Sequence, residues 1–542
     1  MNRRDFLKLA ALSGTASLAG AAWASMARPG VVPPGDGAKP FDLAETTIPR
    51  FQYLMSTGKA SSVSVTKKYL ARIREIDQTG PALNAIIELN PDALALAAAL
   101  DKERQAKGPR GPLHGIPVLI KDNIDTHDRM STTAGSLALA GSIAPRDAGL
   151  VEKLRTAGAV LLGKTNLSEW ANFRGSLSTS GWSGRGGLTR NPYVLDRNPS
   201  GSSSGSAAAV AANLCAVAVG TETDGSILSP ASFCGIVGIK PTVGLISRSG
   251  IIPIAHSQDT AGPMARSVTD AALLLGAIAG TDSRDPATAE SDSRAARDYT
   301  RFLQDTALRG TRLGVARSFF GFHPQVDALM ESILNDLKRL GAEVVDPVDL
   351  KKSAELGTAE GEVLHYEFKT DLNAYLANLN SGAPVHSLRE VIEFNQRHKE
   401  QELGWFGQDE LIKADAMGPL TEKSYLDALA TCRRLSRAEG IDAVMDQHNL
   451  DAILTPTSTP AHVTDLVNGD HGLGDSTTFA AVAGYPSITV PAGLVFELPV
   501  GISFFGRAWS EPKLLGIAFA FEQATKARRS PRFLVSIPPR YR

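Results

Sequence analysis

Short apolar runs alternate with helix-forming stretches between about residues 112 and 279, and this alternation constrains the fold more than any other feature. The runs are PVLIK at 117–121, AVLLG at 159–163 and CAVAVG at 215–220. Apolar runs of this length predict buried strands, and strands that alternate with helices are typical of an α/β sandwich. Two later runs, at 312–320 and 342–350, predict two more strands with a helix between them.

Lys121 closes the first of these runs, directly after Val118, Leu119 and Ile120. A buried strand carries such an amine into the interior, where desolvation lowers the pKa of lysine and favours the neutral form. A neutral lysine can take a proton from a serine hydroxyl, so Lys121 is a candidate general base. The alternative is that Lys121 only ends the strand and points to water, because lysine is almost never fully buried without a partner.

A Ser/Gly-rich stretch at 200–206 leads directly into the alanine-rich run at 207–212. Such stretches are often flexible linkers, but alanine is a strong helix former, so this one predicts a loop packed against a helix. Gly201 and Gly205 allow backbone conformations that are closed to other residues, and Ser206 is placed to cap the helix. Ser202, in this loop, is a candidate to relay a proton.

Ser226 follows a turn, at 220–225, that is rich in small and polar residues. A turn containing glycine can point successive backbone amides into one pocket, which acyl transfer needs for a developing oxyanion. The alternative is an ordinary strand-to-helix turn. In combination with Lys121 and Ser202, the pattern predicts a Ser-Ser-Lys triad with Ser226 as nucleophile. The candidate oxyanion donors are the backbone amides of Thr223, Asp224, Gly225 and Ser226.

These segments resemble the amidase signature family of serine hydrolases, and the resemblance covers most of residues 60–542. It implies that Lys121 is the general base, Ser202 the proton shuttle and Ser226 the nucleophile. It further implies a cis peptide bond at Gly201-Ser202, with Ser203 supporting the loop. The implied fold is one large α/β domain, with a mixed, twisted central sheet, helices on both faces and a variable helical insertion at about 352–435 that covers the cleft.

At two positions this chain differs from the residues that are common in the family, and these differences point to one branch of it. Asp224 replaces a glycine and Leu228 replaces a frequent arginine. Both resemble the branch that contains bacterial peptide amidases, which implies hydrolysis of C-terminal peptide amides to acid and ammonia through an acyl-enzyme. Fatty or aryl amides remain possible substrates. Two other hypotheses stay open: a glutaminase-type subunit of an amidotransferase complex, and a non-catalytic binding module that uses the same pocket.

Residues 1–24 have the features of a twin-arginine export signal. Arg3 and Arg4 precede an apolar stretch, and an A-x-A site predicts cleavage after Ala24, or else after Ala27. An uncleaved anchor is the alternative, although the apolar stretch is shorter than a spanning helix needs. We expect a periplasmic or secreted protein, with an exposed leader at 25–45 and the amidase domain at 46–542.

Composition excludes several classes of partner. A formal net charge of −1 gives no excess of positive charge, which binding to nucleic acid or to an anionic membrane surface would favour. The histidines and cysteines form no recognised ligand pattern, so we expect no metal and no cofactor. The expected partner is a small amide or peptide-amide substrate, with no stable membrane association after signal removal. The oligomeric state is left open.

Overall fold

The structure is a computed structural model that describes residues 41–296, 298–351 and 354–538. The predicted export signal at 1–24 and most of the predicted leader at 25–45 lie outside the described residues. Residues 41–45 pack against the rest of the chain: Leu43 is buried, and the Glu45 carboxylate pairs with Arg528 at 2.8 Å. The packed region therefore begins before the predicted boundary at 46.

A mixed sheet forms the centre of the molecule. The strands of the described residues are β1 Ile86–Leu89, β2 Pro117–Lys121, β3 Val160–Thr165, β4 Trp182–Ser183, β5 Gly187–Leu188, β6 Val217–Glu222, β7 Val237–Lys240, β8 Thr260–Ala265, β9 Arg312–Val315, β10 Glu343–Val345, β11 Ala452–Pro456, β12 Ser487–Val495 and β13 Leu498–Phe505. The order of strands in the central sheet is β1-β3-β2-β6-β8-β7-β12-β13-β11-β9-β10, and β4 and β5 form a separate hairpin.

The apolar runs become the buried strands that the sequence predicts. Every residue of β2, β3 and β6 is buried. Strand β2 lies between β3 and β6 and is parallel to both, whereas β6 pairs with β8 in the antiparallel direction. A strand that is covered on both faces has a continuous apolar sequence, rather than one in which apolar and polar residues alternate. The predicted α/β fold with a large mixed sheet is confirmed.

Helices flank this sheet. They are α1 Ile48–Ser56, α2 Ser62–Ile73, α3 Ala93–Lys107, α4 Gly149–Thr156, α5 Ser204–Ala211, α6 Leu228–Phe233, α7 Val268–Ile278, α8 Ser291–Arg294, α9 Pro324–Arg339, α10 Ala354–Ala377, α11 Leu388–Arg397, α12 Lys399–Glu402, α13 Asp409–Asp415, α14 Lys423–Arg433, α15 Asp442–His448, α16 Thr478–Ala483 and α17 Glu511–Thr525. Among the described helices, none combines the length and apolar character needed to cross a bilayer.

The region predicted as a helical insertion, at about 352–435, contains helices α10 to α14. Helix α12 of this region is held against the segment that follows β3 by a buried cluster of charged side chains. Arg174, in the segment after β3, lies 3.0 Å from a carboxylate oxygen of Glu169 and 3.8 Å from one of Glu402. All three side chains are buried, so the contact fixes the loop against the helices.

Candidate active site

Lys121 lies at the carboxyl end of β2, and its side chain is fully buried, as the preceding apolar run predicts. Burial lowers the pKa of Lys121 to about 7, while the nearby carboxylates of Asp259 and Glu222 oppose this shift. A substantial fraction of the amine is therefore neutral near pH 7. The alternative, a lysine that points to water, does not hold.

Three oxygen atoms surround the Lys121 amine. Its Nζ lies 2.7 Å from Ser202 Oγ, 2.8 Å from Thr221 Oγ1 and 3.2 Å from the Thr221 carbonyl oxygen. A neutral amine has two N–H groups and one lone pair. Donation of both N–H groups to the Thr221 oxygens leaves the lone pair for the Ser202 hydroxyl, so this arrangement suits a proton acceptor.

The loop that carries Ser202 is pressed against neighbouring backbone. The Gly201-Ser202 peptide bond is cis, and the Ser168 amide donates to the Ser202 carbonyl at 3.1 Å. A Cβ on Gly201 would lie 2.2 Å from Ser168 Oγ, and one on Gly205 would lie 2.2 Å from a backbone oxygen of Ala85. At both positions the neighbouring atoms lie too close to leave room for a Cβ, so glycine is required. Neither glycine uses the conformational freedom that the sequence pattern suggests, since neither has a positive φ, whereas Ser200 has φ 61°.

Ser206 does not cap the helix, contrary to the prediction. Helix α5 begins at Ser204, so Ser206 lies inside it, with its Oγ 2.7 Å from Thr165 Oγ1. Ser203 occupies the N-cap position and links the two serine segments. Its amide donates to the Ser226 carbonyl at 3.1 Å, and its Oγ donates to the Thr221 carbonyl at 3.0 Å. The Ser202 loop and the Ser226 turn are thus joined through backbone groups.

The turn before Ser226 is organised around the buried Glu222 carboxylate. Its Oε2 accepts from the amides of Ile227 at 2.6 Å and Leu228 at 2.9 Å, and the carboxylate also contacts the Gly225 amide. The predicted donor Gly225 therefore faces Glu222, a contact that the sequence pattern does not indicate. Within the described residues, the other three predicted donors have no hydrogen-bond acceptor in the protein: the amides of Thr223, Asp224 and Ser226.

A cavity of about 360 Å³ adjoins these groups. It is lined by Thr221, which contacts the Lys121 amine, and by Thr223, while Ser202 and Ser226 themselves do not line it. One wall is apolar and is formed by Ala171, Ile251, Ile252, Pro253, Ile254, Ala374 and Tyr375. The volume and the mixed lining are those of a small-molecule or peptide side-chain pocket.

Charged groups line another part of this cavity. Arg248 forms an ion pair with Asp285 at 2.6 Å. His256 Nδ1 lies 2.8 Å from Asp371 of α10, and this hydrogen bond raises the pKa of the histidine. The cavity therefore combines an apolar wall with paired charges.

Several residues at the site were not predicted from the sequence. Thr221 and Asn123 both belong to the segments that were singled out, and Asn123 Nδ2 donates to Thr221 Oγ1 at 3.0 Å. Asp259 accepts from Thr223 Oγ1 at 2.5 Å and lines the cavity. Asn123 directly follows the Lys121-Asp122 pair, and that adjacency was the available signal.

Known proteins resemble this chain over most of its length. The family profile described as Amidase matches residues 64–515. The native peptide amidase from Stenotrophomonas maltophilia superimposes with a TM-score of 0.87 at 54% identity, covering 91% of this chain and 100% of that one. A probable amidase from Arabidopsis thaliana is 44% identical over 91% of this chain and 93% of its own length. A glutamyl-tRNA(Gln) amidotransferase subunit of Acinetobacter baylyi is 36% identical, over 89% and 97% respectively.

The chain belongs to the amidase family. Together with the structural match to a peptide amidase, this membership identifies an enzyme that hydrolyses amides. The resemblance inferred from the sequence segments is confirmed.

Proposed function

We propose that this enzyme hydrolyses the C-terminal amides of peptides to acid and ammonia, with Ser226 as nucleophile, Ser202 as proton shuttle and Lys121 as general base. The observation that carries the proposal is the 2.7 Å contact between a buried Lys121 amine and Ser202 Oγ. Ser203 ties the Ser202 loop to the Ser226 backbone, so the segments that carry the shuttle and the nucleophile are held side by side.

The first half of the reaction acylates the enzyme. Ser226 Oγ attacks the amide carbonyl carbon while its proton passes to Ser202, whose own proton passes to neutral Lys121. The unpaired amides of the turn stabilise the tetrahedral oxyanion. The protonated lysine then returns a proton through Ser202 to the departing nitrogen, the C–N bond breaks, and ammonia leaves.

The second half repeats the route with water. Water gives up its proton along the same chain and attacks the acyl carbon, and the C–O bond to Ser226 breaks. The acid is released and the serine hydroxyl is restored. One relay serves both halves because a group that accepts a proton in one direction donates it in the other.

Two observations support a peptide amide as substrate. The solved peptide amidase shares 54% of its residues with this chain and is covered completely by it. The cavity beside Thr221 and Thr223 has an apolar wall large enough for an amino-acid side chain, next to paired charges that suit a polar peptide backbone.

A mixed pool of peptide amides, fatty amides and aryl amides tests this proposal. After incubation with the enzyme, mass spectrometry identifies which compounds have exchanged a terminal amide for an acid. Peptide amides should react first, and Ser226→Ala should abolish the exchange. Ser229→Ala is the matched control, because it removes a hydroxyl from the helix that follows and should leave turnover intact. Preferential hydrolysis of fatty or aryl amides would overturn the assigned substrate.

A second candidate is the glutaminase-type subunit of an amidotransferase complex, favoured by the 36% identical relative. Such a subunit releases ammonia from glutamine for a partner. Glutamine hydrolysis that rises sharply with a co-purifying partner, in the absence of activity on peptide amides, would select this function.

We also propose that the protein is exported by the twin-arginine route, as the pair Arg3-Arg4 and the apolar stretch after it suggest. The substrate would then be met outside the cytoplasm. Sequencing the amino terminus of the exported protein distinguishes cleavage after Ala24 from cleavage after Ala27.

A further inference from the structure

Three side chains of the types that bind metal ions meet beside the cavity. Glu367 and Asp371 lie one turn apart on helix α10, and His256 lies in the segment that follows the apolar wall. One ligand atom from each of the three side chains lies within 4.8 Å of the other two. Because His256 is remote from helix α10 in the sequence, no spacing motif indicates this group.

The distances between the ligand atoms suit a zinc ion. His256 Nε2 lies 3.5 Å from Glu367 Oε1, and two tetrahedral ligands of Zn²⁺ lie about 3.3–3.4 Å apart. His256 Nδ1 lies 2.8 Å from Asp371 Oδ2, so the second carboxylate contacts the same imidazole ring. Imidazole and carboxylate groups are common ligands of Zn²⁺ in sites that have three protein ligands and one open position.

The charges at this place favour a cation. The Glu367 side chain is fully buried, and among the described residues its only ion-pair partner is His256. Asp371 likewise pairs only with His256 in the described part of the chain, so two carboxylates share one imidazole. Arg248, which also lines the cavity, is paired with Asp285 at 2.6 Å. A buried carboxylate is costly without an opposite charge, and a divalent cation supplies more of that charge than one imidazolium does.

Neighbouring groups hold the buried carboxylate and leave the opposite side of the group open. Glu367 Oε1 accepts from the Tyr425 hydroxyl at 2.8 Å, and its Oε2 accepts from the Ser257 amide at 2.9 Å. Contacts of this kind orient the ligands in metal sites. The His256 side chain is 46% exposed, and both His256 and Asp371 line the cavity. An ion can therefore enter from the cavity and keep a water molecule on that side.

We propose that His256, Glu367 and Asp371 form a binding site for Zn²⁺, with an open position that faces the cavity. The imidazole nitrogen favours Zn²⁺ over Mg²⁺ and Ca²⁺, whose sites are built from oxygen ligands. Because the ion stands in the cavity wall, it narrows the pocket for the substrate side chain and inhibits peptide-amide hydrolysis. This last consequence rests on the proposed function.

Calorimetric titration of the chelator-treated, untagged enzyme with ZnCl₂ tests the site without any assay of activity. We expect one equivalent of zinc to bind, whereas MgCl₂ at the same concentration should give no heat of binding. His256→Ala should weaken zinc binding at least about tenfold, and the fold should persist because the side chain is half exposed.

His471→Ala is the matched control. The His471 side chain is 51% exposed and also contacts an aspartate, with its Nε2 3.1 Å from Asp465. This variant should keep the zinc affinity of the wild type. Anomalous diffraction at the zinc absorption edge, from crystals soaked in ZnCl₂, should then place the ion between His256, Glu367 and Asp371.

Peptide-amide hydrolysis with and without Zn²⁺ tests the effect on the cavity, with each variant compared with its own zinc-free rate. In the wild type and in His471→Ala, zinc should raise KM at least about threefold, and in His256→Ala it should not.

The possible outcomes separate the two parts of the proposal. Equal zinc affinity in the wild type and in His256→Ala, or an anomalous peak at another place, overturns the site. Zinc binding that depends on His256 but leaves KM unchanged overturns the inhibition alone. If no peptide amide is hydrolysed, the proposed function fails, while the titration and the diffraction still test the site.

Discussion

Lys121 is the residue on which the proposed chemistry depends most directly. Lys121→Met keeps the length and apolar stem of the side chain and removes the amine, so the fold should persist. We expect kcat/KM to fall by at least about a hundredfold, in line with general-base contributions. Steady-state assays with a peptide amide measure the loss.

Lys164 supplies the matched control for that experiment. It is also fully buried, on the neighbouring strand β3, but its Nζ donates to the Ile124 carbonyl at 2.7 Å and to Thr132 Oγ1 at 2.9 Å. Lys164→Met should reduce stability and leave kcat per folded enzyme within about tenfold of the wild type. Equal losses in the two variants would contradict a specific role for Lys121.

The pH dependence follows from the lowered pKa of Lys121, about 7, which is caused by burial. The reactive form is the neutral amine, so kcat/KM should rise as pH increases through this value and then level off. Rates measured from pH 5 to pH 8.5, with the chemical step limiting, test the prediction. A profile that is flat across that range would exclude a titrating lysine as the base.

At this scale, the sequence supports prediction of side chains whose neighbours in the chain determine their environment. Lys121 could be placed in the interior because three apolar residues precede it. Glu360 could not, because a glutamate on a polar helix is ordinarily solvated and only its burial against Gln258 distinguishes it.

Helix α5 illustrates how close packing, rather than backbone conformation, sets a residue choice. An added Cβ on Gly205 would lie 2.2 to 2.7 Å from backbone atoms of Ala85 and Asn166, which cannot move aside as a side chain can. Gly205→Ala should therefore lower the free energy of unfolding by about 2 kcal/mol or more. Denaturant unfolding measures the change.

Gly361, within helix α10, is the control for Gly205. A Cβ there would have no atom within 4 Å other than those of its chain neighbours and of its own helix backbone. Gly361→Ala should raise the free energy of unfolding by about 0.5–1 kcal/mol, because alanine loses less conformational entropy in a helix. Two substitutions with the same chemistry should thus have opposite signs. A destabilised Gly361→Ala would show that open space does not decide the outcome.

Strand and helix positions were predictable where periodicity was strong, and cap positions were not. Strands β2, β3 and β6 follow from their apolar runs. The start of α5 at Ser204, two residues before the expected cap at Ser206, depends on how the Ser202 loop packs against Ser168, which is distant in sequence.

At the scale of the whole molecule, the proposed twin-arginine export can be tested in cells. Arg3→Lys together with Arg4→Lys keeps the positive charge of the amino terminus and removes the paired arginines that the export receptor reads. The enzyme should then accumulate in the cytoplasm at its full length. Activity in periplasmic and cytoplasmic fractions, alongside a marker of each compartment, measures the distribution. Unchanged export would rule out the twin-arginine route.

The overall architecture was predictable from the sequence because its signals repeat along the chain. Alternating apolar and helical stretches predict an α/β sheet regardless of any single boundary. Where the packed region begins was not predictable, because Leu43 and Glu45 belong to a segment that contacts Asn213 and Arg528, which are remote in sequence.

Strands β2 and β6 are hydrogen-bonded neighbours, so ladder spacing holds Lys121 and Thr221 on adjoining backbones about 4.8 Å apart. The cavity wall, by contrast, comes from the segment at 251–254 and from helix α10, which lie outside that ladder. The proposed reaction geometry and the apolar wall of the cavity are therefore carried largely by different segments, with Thr221 shared between the relay and the cavity. A protein engineer can therefore vary the apolar wall to test whether a different acyl group is accepted, while the residues of the proposed proton relay stay unchanged.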